Sequence, residues 1–574
     1  LHKWCVGWFI TPGNALNEMN NERLDKYKTS EPRRPSAFQP LYYALVLIIG
    51  LLGGSLLADR NTIVIGGKGE GNPHKLVSLI NFIEENYVDS VDKSKLIDDA
   101  IQSVLQNLDP HSYYMSPEEL AQAQEELSGG FQGIGVEFLI LRDSLMVVRT
   151  IPDGPSEKAG LKAGDRIVQV DGKDISGKTL DSDKAQKLLK GAAGSTVKVG
   201  LKRKGADGVI QTEITRGSIP IESVPVAFKV EEGIGYLKVD RFAKTTYSEF
   251  KSSMDGLIAQ NCSKVILDFR GNGGGFLDQA VSIVEEFLTP GKVIVYTEGV
   301  HDGKEVMTSS KKGKYNDMEV VVLIDQGSAS ASEIVAGALQ DWDRSVTVGR
   351  RSFGKGLVQR EIELSDQSAL RLTVARYFTP TGRCIQKPYG DSIDYSDDFH
   401  QRLVSGEMTD GDKIELPDSL KKITPGGRVV YGGGGIVPDV FVPLDSTLFS
   451  GTLAGLNYLG LIREYTFDYI DTHRKALMSY VDEDDFIKRF SVTPAMLNKL
   501  ADEANRRDKT ITRAEISKIS TEVSMRIKAQ IARTLYSENA MTKVFATGDA
   551  EFIKALEIAR DYRKFAVIPT SAVK

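Results

Sequence analysis

Two short segments carry residue types that could do nucleophilic chemistry together: Ile324-Asp325-Gln326-Gly327-Ser328-Ala329-Ser330-Ala331-Ser332-Glu333 and Ser352-Phe353-Gly354-Lys355-Gly356-Leu357-Val358-Gln359. The first follows an apolar run and opens a helix-like one through a turn of small residues. That plan displays a side chain and lets a substrate backbone come close. Taken alone, Ser330-x-x-Glu333 is the pattern of a helix-capping box, and a serine before a helix needs no other role. Lys355 changes the weighing, because it stands between two glycines with apolar neighbours, 25 positions after Ser330. A serine hydroxyl is a weak nucleophile, and a lysine can take its proton only if burial lowers the amine from about 10.4 toward 7 or 8. Such a shift costs roughly 3 to 5 kcal/mol at about 1.36 kcal/mol per unit, which a fold hardly sustains without a use for it. Positions 355 and 359 fall on one face of a strand or a helix, so Gln359 can orient the amine.

The elements needed to position these residues are legible around them. From 218 to about 445, apolar strand-like runs (VILDF, VVVLID) alternate with helix-like ones (FLDQAVSIVEEFL, ASEIVAGALQD), which predicts an α/β core. The Gly274-Gly275 pair sits at a second strand-to-helix turn, where N–H groups aligned with a helix dipole could face developing negative charge. Residues 131–217 read as short alternating strands split by glycines, a small β-rich domain. Residues 74–130 read as a helical unit that breaks at Asp109-Pro110, restarts at Ser116-Pro117 and ends at Gly129-Gly130. Residues 446–574 show helical spacing in Ala476–Val481, Ala495–Ala504 and Arg513–Leu535, and are expected to form a helical appendage. The expected class is therefore multi-domain α+β, and 574 residues exceed what one core can hold.

The β-rich region resembles a bacterial PDZ domain in its segments FQGIGVEF, PSEKAGLKAGDRIVQVDGKDI and DKAQKLLKG. The resemblance implies an extended peptide added as a strand, its terminal carboxylate held by backbone N–H groups. The implied loop is Gln132-Gly133-Ile134-Gly135, leading into a strand from Val136, with Leu188 and Leu189 on the facing helix.

The GSASASEIVAGALQD and FGKGLVQ segments, with VILDFRGNGGGFLDQA, RYFTPTGRCIQ and GGIVPDV, resemble the C-terminal processing (tail-specific) peptidases across roughly residues 75 to 445. The resemblance implies a serine endopeptidase with Ser330 as nucleophile, Lys355 as general base and Gln359 as its orienting partner. Oxyanion donors would be the N–H of Ala331 and one from Gly274 or Gly275. Protein or peptide substrates with free C-terminal tails are the implied partners, and no cofactor or metal is expected. The polar segment 387–433 is longer than the family pattern suggests and is expected to cover the site or bind a partner. The appendage is left open to adaptor binding or self-association.

Two alternatives can be weighed on residues. A Ser-His-Asp enzyme would need a serine where Gly271-Asn272-Gly273-Gly274-Gly275 has glycine, and none of the six histidines lies in a motif for a triad base. Position leaves His301 and His400 open, and His111, in Asp109-Pro110-His111-Ser112, reads as a turn residue. A catalytically silent PDZ scaffold or chaperone is opposed by the joint presence of Ser330, Lys355 and Gln359. A net charge of −6 offers no footprint for nucleic acid, and Cys5, Cys262 and Cys384 lie too far apart to suggest a zinc or disulfide framework.

Residues 41–58 form an uncharged run of 18 residues, just long enough to span a bilayer core of about 30 Å. Lys26, Lys28, Arg33 and Arg34 precede it, so residues 1–40 are expected in the cytoplasm, with Met19 as a candidate start. A linker at 59–73 then leads to a catalytic region in the periplasm, tethered to the bacterial inner membrane by a single pass. Cleavage as a signal peptide is the alternative, disfavoured by Leu56 where a small residue is wanted.

Overall fold

The computed structural model describes residues 39–58, 74–141, 144–177, 180–390, 395–445 and 450–566, with side chains of the first segment described at 41–50. The chain divides into two compact units, Leu1–Leu96 and Ile97–Lys574.

In the first unit the backbone is helical over Gln39–Ala58 and His74–Asn86. Among the described residues no helix is long and apolar enough to cross a membrane. The ten described side chains, 41–50, cover only about 15 Å at the usual rise, half of a bilayer core. The side chains of the other part of the expected span, 51–58, lie outside the described residues, as do residues 1–38 of the expected N-terminal tail 1–40 and the expected linker 59–73.

In the second unit, the helix Pro117–Ser128 starts and stops where its punctuation demands. Ser116 accepts from the Glu119 N–H, Pro117 takes the first helical position, and Gly129 closes the helix at φ 82°. Between Asp109-Pro110 and this helix, Tyr113–Met115 is a strand that pairs antiparallel with Ala369–Phe378, Tyr113 opposite Arg371. The stretch assigned from sequence to a helical unit thus contributes a strand to a sheet of the region 218–445.

The strands Val136–Leu141, Ser144–Thr150, Arg166–Val170, Thr196–Lys202 and Ile210–Thr215 form an antiparallel sheet in that order, and Lys173–Asp174 pairs with the third. Val136–Leu141 is an edge: among the described residues it pairs only with Ser144–Thr150. The helix Ser182–Leu189, capped by Asp181, closes the domain over a core that includes Ile134, Leu145, Ile167, Ala185 and Leu189.

The region expected to form the α/β core is built on a six-stranded sheet ordered Val226–Glu231, Ile234–Lys238, Lys264–Asp268, Glu319–Ile324, Ser345–Gly349, Val440–Phe441, parallel except for the first pair. Its central strands are buried except at the first residues Lys264 and Glu319, as apolar runs covered on both faces should be. One face packs against the helices Thr246–Ala259, Leu277–Glu285 and Ala331–Asp341. The other face is covered by Phe552, Ala555, Ile558 and Ala559 of the helix Ala550–Arg560. The 446–574 segment is therefore not merely an appendage. Its earlier helices have their own core, which includes Leu456, Leu461, Phe486, Leu500 and Ile527, and its last long helix completes the α/β layer. Helix ends also differ from expectation: Leu461–Leu477 stops before Val481, and 513–535 divides into Arg513–Lys518 and Ser520–Leu535. This segment further touches the PDZ-like sheet, where Phe467 packs on Leu141, Met146 and Val148 and Arg533 pairs with Glu137 at 2.7 Å.

Candidate active site

The strand Glu319–Ile324 delivers the chain to a turn, and the helix Ala331–Asp341 leaves from it with Ser330 as its N-cap. Ser330 has φ 54°, ψ −113°, a backbone region that non-glycine residues rarely occupy. Such strain persists only where surroundings over-determine it. Here they do. Asn272 O accepts from Ala329 N–H and Ser332 Oγ, both at 2.9 Å, and Ser328 Oγ donates to Phe269 O at 2.9 Å. The nucleophile turn is thereby stitched to the glycine turn beside it.

At Gly274 and Gly275 that glycine turn has no room for side chains. A Cβ on Gly274 would lie 2.7 Å from Ser330 Cβ and 3.0 Å from Ala331 N, and its φ is +99°. The Gly274 N–H donates to Asn272 Oδ1 at 2.8 Å. The N–H groups of Gly275 and Ala331 have no acceptor among the described residues. Of the two glycines left open by the sequence, Gly275 has the free donor and Gly274 the close approach.

Lys355 precedes the strand Leu357–Glu363. Gly354 before it has φ +88°, and a Cβ there would meet Gly434 and Gly435 backbone at 3.1 Å. This accounts for one of the two glycines flanking the lysine. The amine donates to Gln359 Oε1 at 2.8 Å, while Gln359 Nε2 donates to the His111 carbonyl. Among the described residues no hydrogen bond joins the amine to Ser330. Burial, with the like charge of Arg371, holds the Lys355 amine below the usual lysine range. That is the direction a general base requires.

One side chain that the sequence reading used only as a cap organises both motifs. Glu333, fully buried, accepts from Ser330 N–H (2.8 Å) and Lys355 N–H (2.9 Å) on Oε2, and from Gly354 N–H (2.7 Å) and Ser352 Oγ (2.5 Å) on Oε1. Burial pushes its carboxyl up to about 7 against these four donors. The signal was the Ser-x-x-Glu pattern itself, but nothing local says that the glutamate also reaches residues 352–355. Tyr377, in the RYFTP segment, is a second such residue: its hydroxyl lies 3.0 Å from Ser330 O and 2.6 Å from Lys355 O.

His111 also belongs here rather than to a plain turn. Burial and the Lys355 charge hold it down to about 4, so it is neutral near pH 7, and its Nε2 lies 2.8 Å from the Tyr395 hydroxyl. Of the two roles expected for 387–433, covering the site is not what its described residues do. None of the described residues of 387–433 lines the cleft that holds Ser330. Instead Arg402, buried, donates to Ser352 O at 2.9 Å and Arg351 O at 3.2 Å, propping from behind the loop that carries Lys355.

Ser330, Ala331, Gly274, Gly275, Lys355 and Gln359 line one cleft of about 1570 Å³, and its far wall includes Phe131, Gln132 and Lys190 of the PDZ-like domain. Neither His301 nor His400 lines it, and both are exposed. Gly133, Ile134, Gly135, Val136, Leu188 and Leu189 lie outside this cleft, in the PDZ-like domain. There the N–H groups of Ile134 and Gly135 have no acceptor among the described residues, while their carbonyls accept from Ser156 and Ile151. Leu189 is buried in the domain core, so of the helix pair only Leu188 has surface to offer a ligand.

Comparison with known proteins agrees with this organisation. The model of Peptidase family S41 matches residues 233–394, the PDZ domain 132–214, the activating protease CtpB N-terminal domain 61–119, and a family of unknown function (DUF8443) 452–537. A carboxy-terminal-processing protease of Bartonella bacilliformis is 39% identical over 344 residues, covering 58% of this chain and 78% of that protein. The carboxy-terminal processing protease CtpA of Bacillus subtilis is 35% identical over 352 residues, covering 60% and 74%. Among solved structures, the photosystem II D1 C-terminal processing protease is similar at 25% identity, with a TM-score of 0.34, covering 71% of this chain and 94% of that one. An S41 region that holds the serine, the lysine and their glutamine on one cleft, at 39% identity across most of a curated relative, makes the chain a serine-type peptidase with a PDZ domain that belongs to the carboxy-terminal processing proteases.

Proposed function

We propose that the protein cleaves other proteins near their C-termini with a Ser330–Lys355 dyad, and that the PDZ domain captures the substrate tail. The observation that carries this is the shared cleft, in which an amine lowered by burial faces the same space as a serine on a strained elbow. In this reading neutral Lys355 takes the Ser330 proton as Oγ bonds to the scissile carbonyl carbon. The N–H groups of Ala331 and the Gly274–Gly275 turn stabilise the resulting oxyanion. The lysine then gives its proton to the leaving amine as the C–N bond breaks. Water attacks the acyl-enzyme with Lys355 again as base, and the acid product leaves with Ser330 restored.

Tail capture is supported by the open edge of Val136–Leu141 and by the free N–H groups of Ile134 and Gly135. Charge-assisted hydrogen bonds to a carboxylate contribute about 1.5 to 3 kcal/mol each, so amidating a peptide's C-terminus should weaken its capture tenfold or more. Comparing kcat and KM for free-acid and amidated forms of one apolar-tailed peptide, with Ser330→Ala as the inactive control, tests both claims. Equal cleavage of the two forms would end the tail-recognition claim, and turnover by Ser330→Ala would end the dyad.

We also infer a membrane tether at 41–58 with the catalytic region outside the cytoplasm, supported by the uncharged run and the basic residues before it. Protease added to spheroplasts should then digest the PDZ and peptidase regions. Their protection would reverse the topology.

A further inference from the structure

We infer that Glu551, in the first turn of the helix Ala550–Arg560, is a positioning residue for catalysis: its carboxylate ties together the loops that carry the oxyanion turn, the nucleophile and the general base. The inference rests on the Ser330–Lys355 reading and extends the working machinery to a part of the chain beyond the matched S41 region.

Arg270 stands four positions before Gly274, and Arg350 five positions before Lys355. Glu551 Oε2 accepts from Arg270 Nη1 at 2.6 Å, and Oε1 accepts from Arg350 Nη1. Arg350 Nε continues to Gln326 Oε1 at 3.0 Å, inside the turn that leads to Ser330. One carboxylate therefore reaches the glycine turn directly, the lysine loop directly and the serine turn through one guanidinium. The side chains are 17% (Arg270), 8% (Arg350) and 9% (Glu551) exposed, so water screens the network little. Asp268, fully buried, anchors the far end: Arg270 Nη2 donates to its Oδ2 at 2.6 Å, and so does the Tyr236 hydroxyl, also at 2.6 Å.

A purely structural role does not account for this carboxylate. The helix already has its cap, since Asp549 Oδ1 accepts from the N–H groups of both Glu551 and Phe552 at 3.0 Å. Its packing on the sheet is supplied by Phe552, Ala555, Ile558 and Ala559. What Glu551 adds to the backbone stitching of these loops is one carboxylate shared by two arginines, of which Arg270 also pairs with Asp549 at 2.8 Å. Loss of the bridge leaves Arg350 without a carboxylate among the described residues while Arg270 keeps Asp268 and Asp549, so the strut between the two loops behind the catalytic turns is gone and their spacing loosens.

The test is steady-state kinetics of full-length Glu551→Gln and Glu551→Asp on one peptide, with near-UV circular dichroism confirming the fold at the assay temperature. Gln keeps the volume and removes the charge, and Asp keeps the charge and shortens the reach. Because groups in one network couple, kcat should fall about tenfold or more in Glu551→Gln and by less in Glu551→Asp, with KM within about twofold. Adding Arg350→Gln to Glu551→Gln should cost little more than the worse single change. An unchanged kcat in either folded variant, or a loss confined to KM, overturns the inference. Ser330→Ala in the same assay separates the two claims: its turnover would remove the dyad reading and this inference with it. An inactive Ser330→Ala beside a fully active Glu551→Gln would remove the inference alone.

Discussion

Lys355→Ala is expected to lose about 10² to 10⁴ in kcat, the range that general-base catalysis supplies. The amine is the one group of the Lys355–Gln359 pair able to accept a proton, and burial with the Arg371 charge already holds it below the usual lysine range. The sign for pH follows: the neutral amine is the active form, so kcat/KM should fall as pH drops through that lowered value and hold above it. Lys355→Arg should not rescue, because a guanidinium stays protonated. The Ser330→Ala/Lys355→Ala double variant should lose little beyond either single change, as groups acting as a unit do. Retention of more than about a tenth of the rate in Lys355→Ala would assign the base elsewhere.

Glu333→Gln should be nearly as damaging, for a different reason. Four donors converge on the buried carboxylate, two on each oxygen. An amide offers one oxygen, and its NH2 must confront either Ser330 and Lys355 N–H or Gly354 N–H and Ser352 Oγ. Leaving buried donors unmatched costs about 1 to 3 kcal/mol each, so roughly 2 to 6 kcal/mol of stability should be lost, visible as a lower Tm. The same mismatch pulls Ser330 and Lys355 apart, and kcat should drop by at least about tenfold. The carboxyl is pushed up to about 7, and glutamine mimics its protonated form. The ratio of variant to wild-type kcat should therefore rise as pH falls below 7, where wild type protonates too. A ratio constant across that range would detach Glu333 from catalysis.

The sequence by itself determined those features that short-range chemistry controls. Turn residues and caps placed the helix Pro117–Ser128 from Ser116 to Gly129, because capping is satisfied within a few residues. Alternating strand-like and helix-like apolar runs announced the α/β core, and two motifs 25 residues apart announced a serine and a lysine that could act together. The tertiary structure alone decided which distant residues complete these units. Tyr113–Met115 joins a strand more than 250 positions away, and Arg402 supports a loop about 50 positions before it. Glu333 brackets Lys355, and the helix Ala550–Arg560 covers the sheet and brings Glu551 beneath the catalytic turns. None of these has a periodicity or a turn signature. Each is a contact between groups distant in the chain whose proximity exists only after the sheet has formed, so local pattern can name the reacting groups but not the groups that hold them.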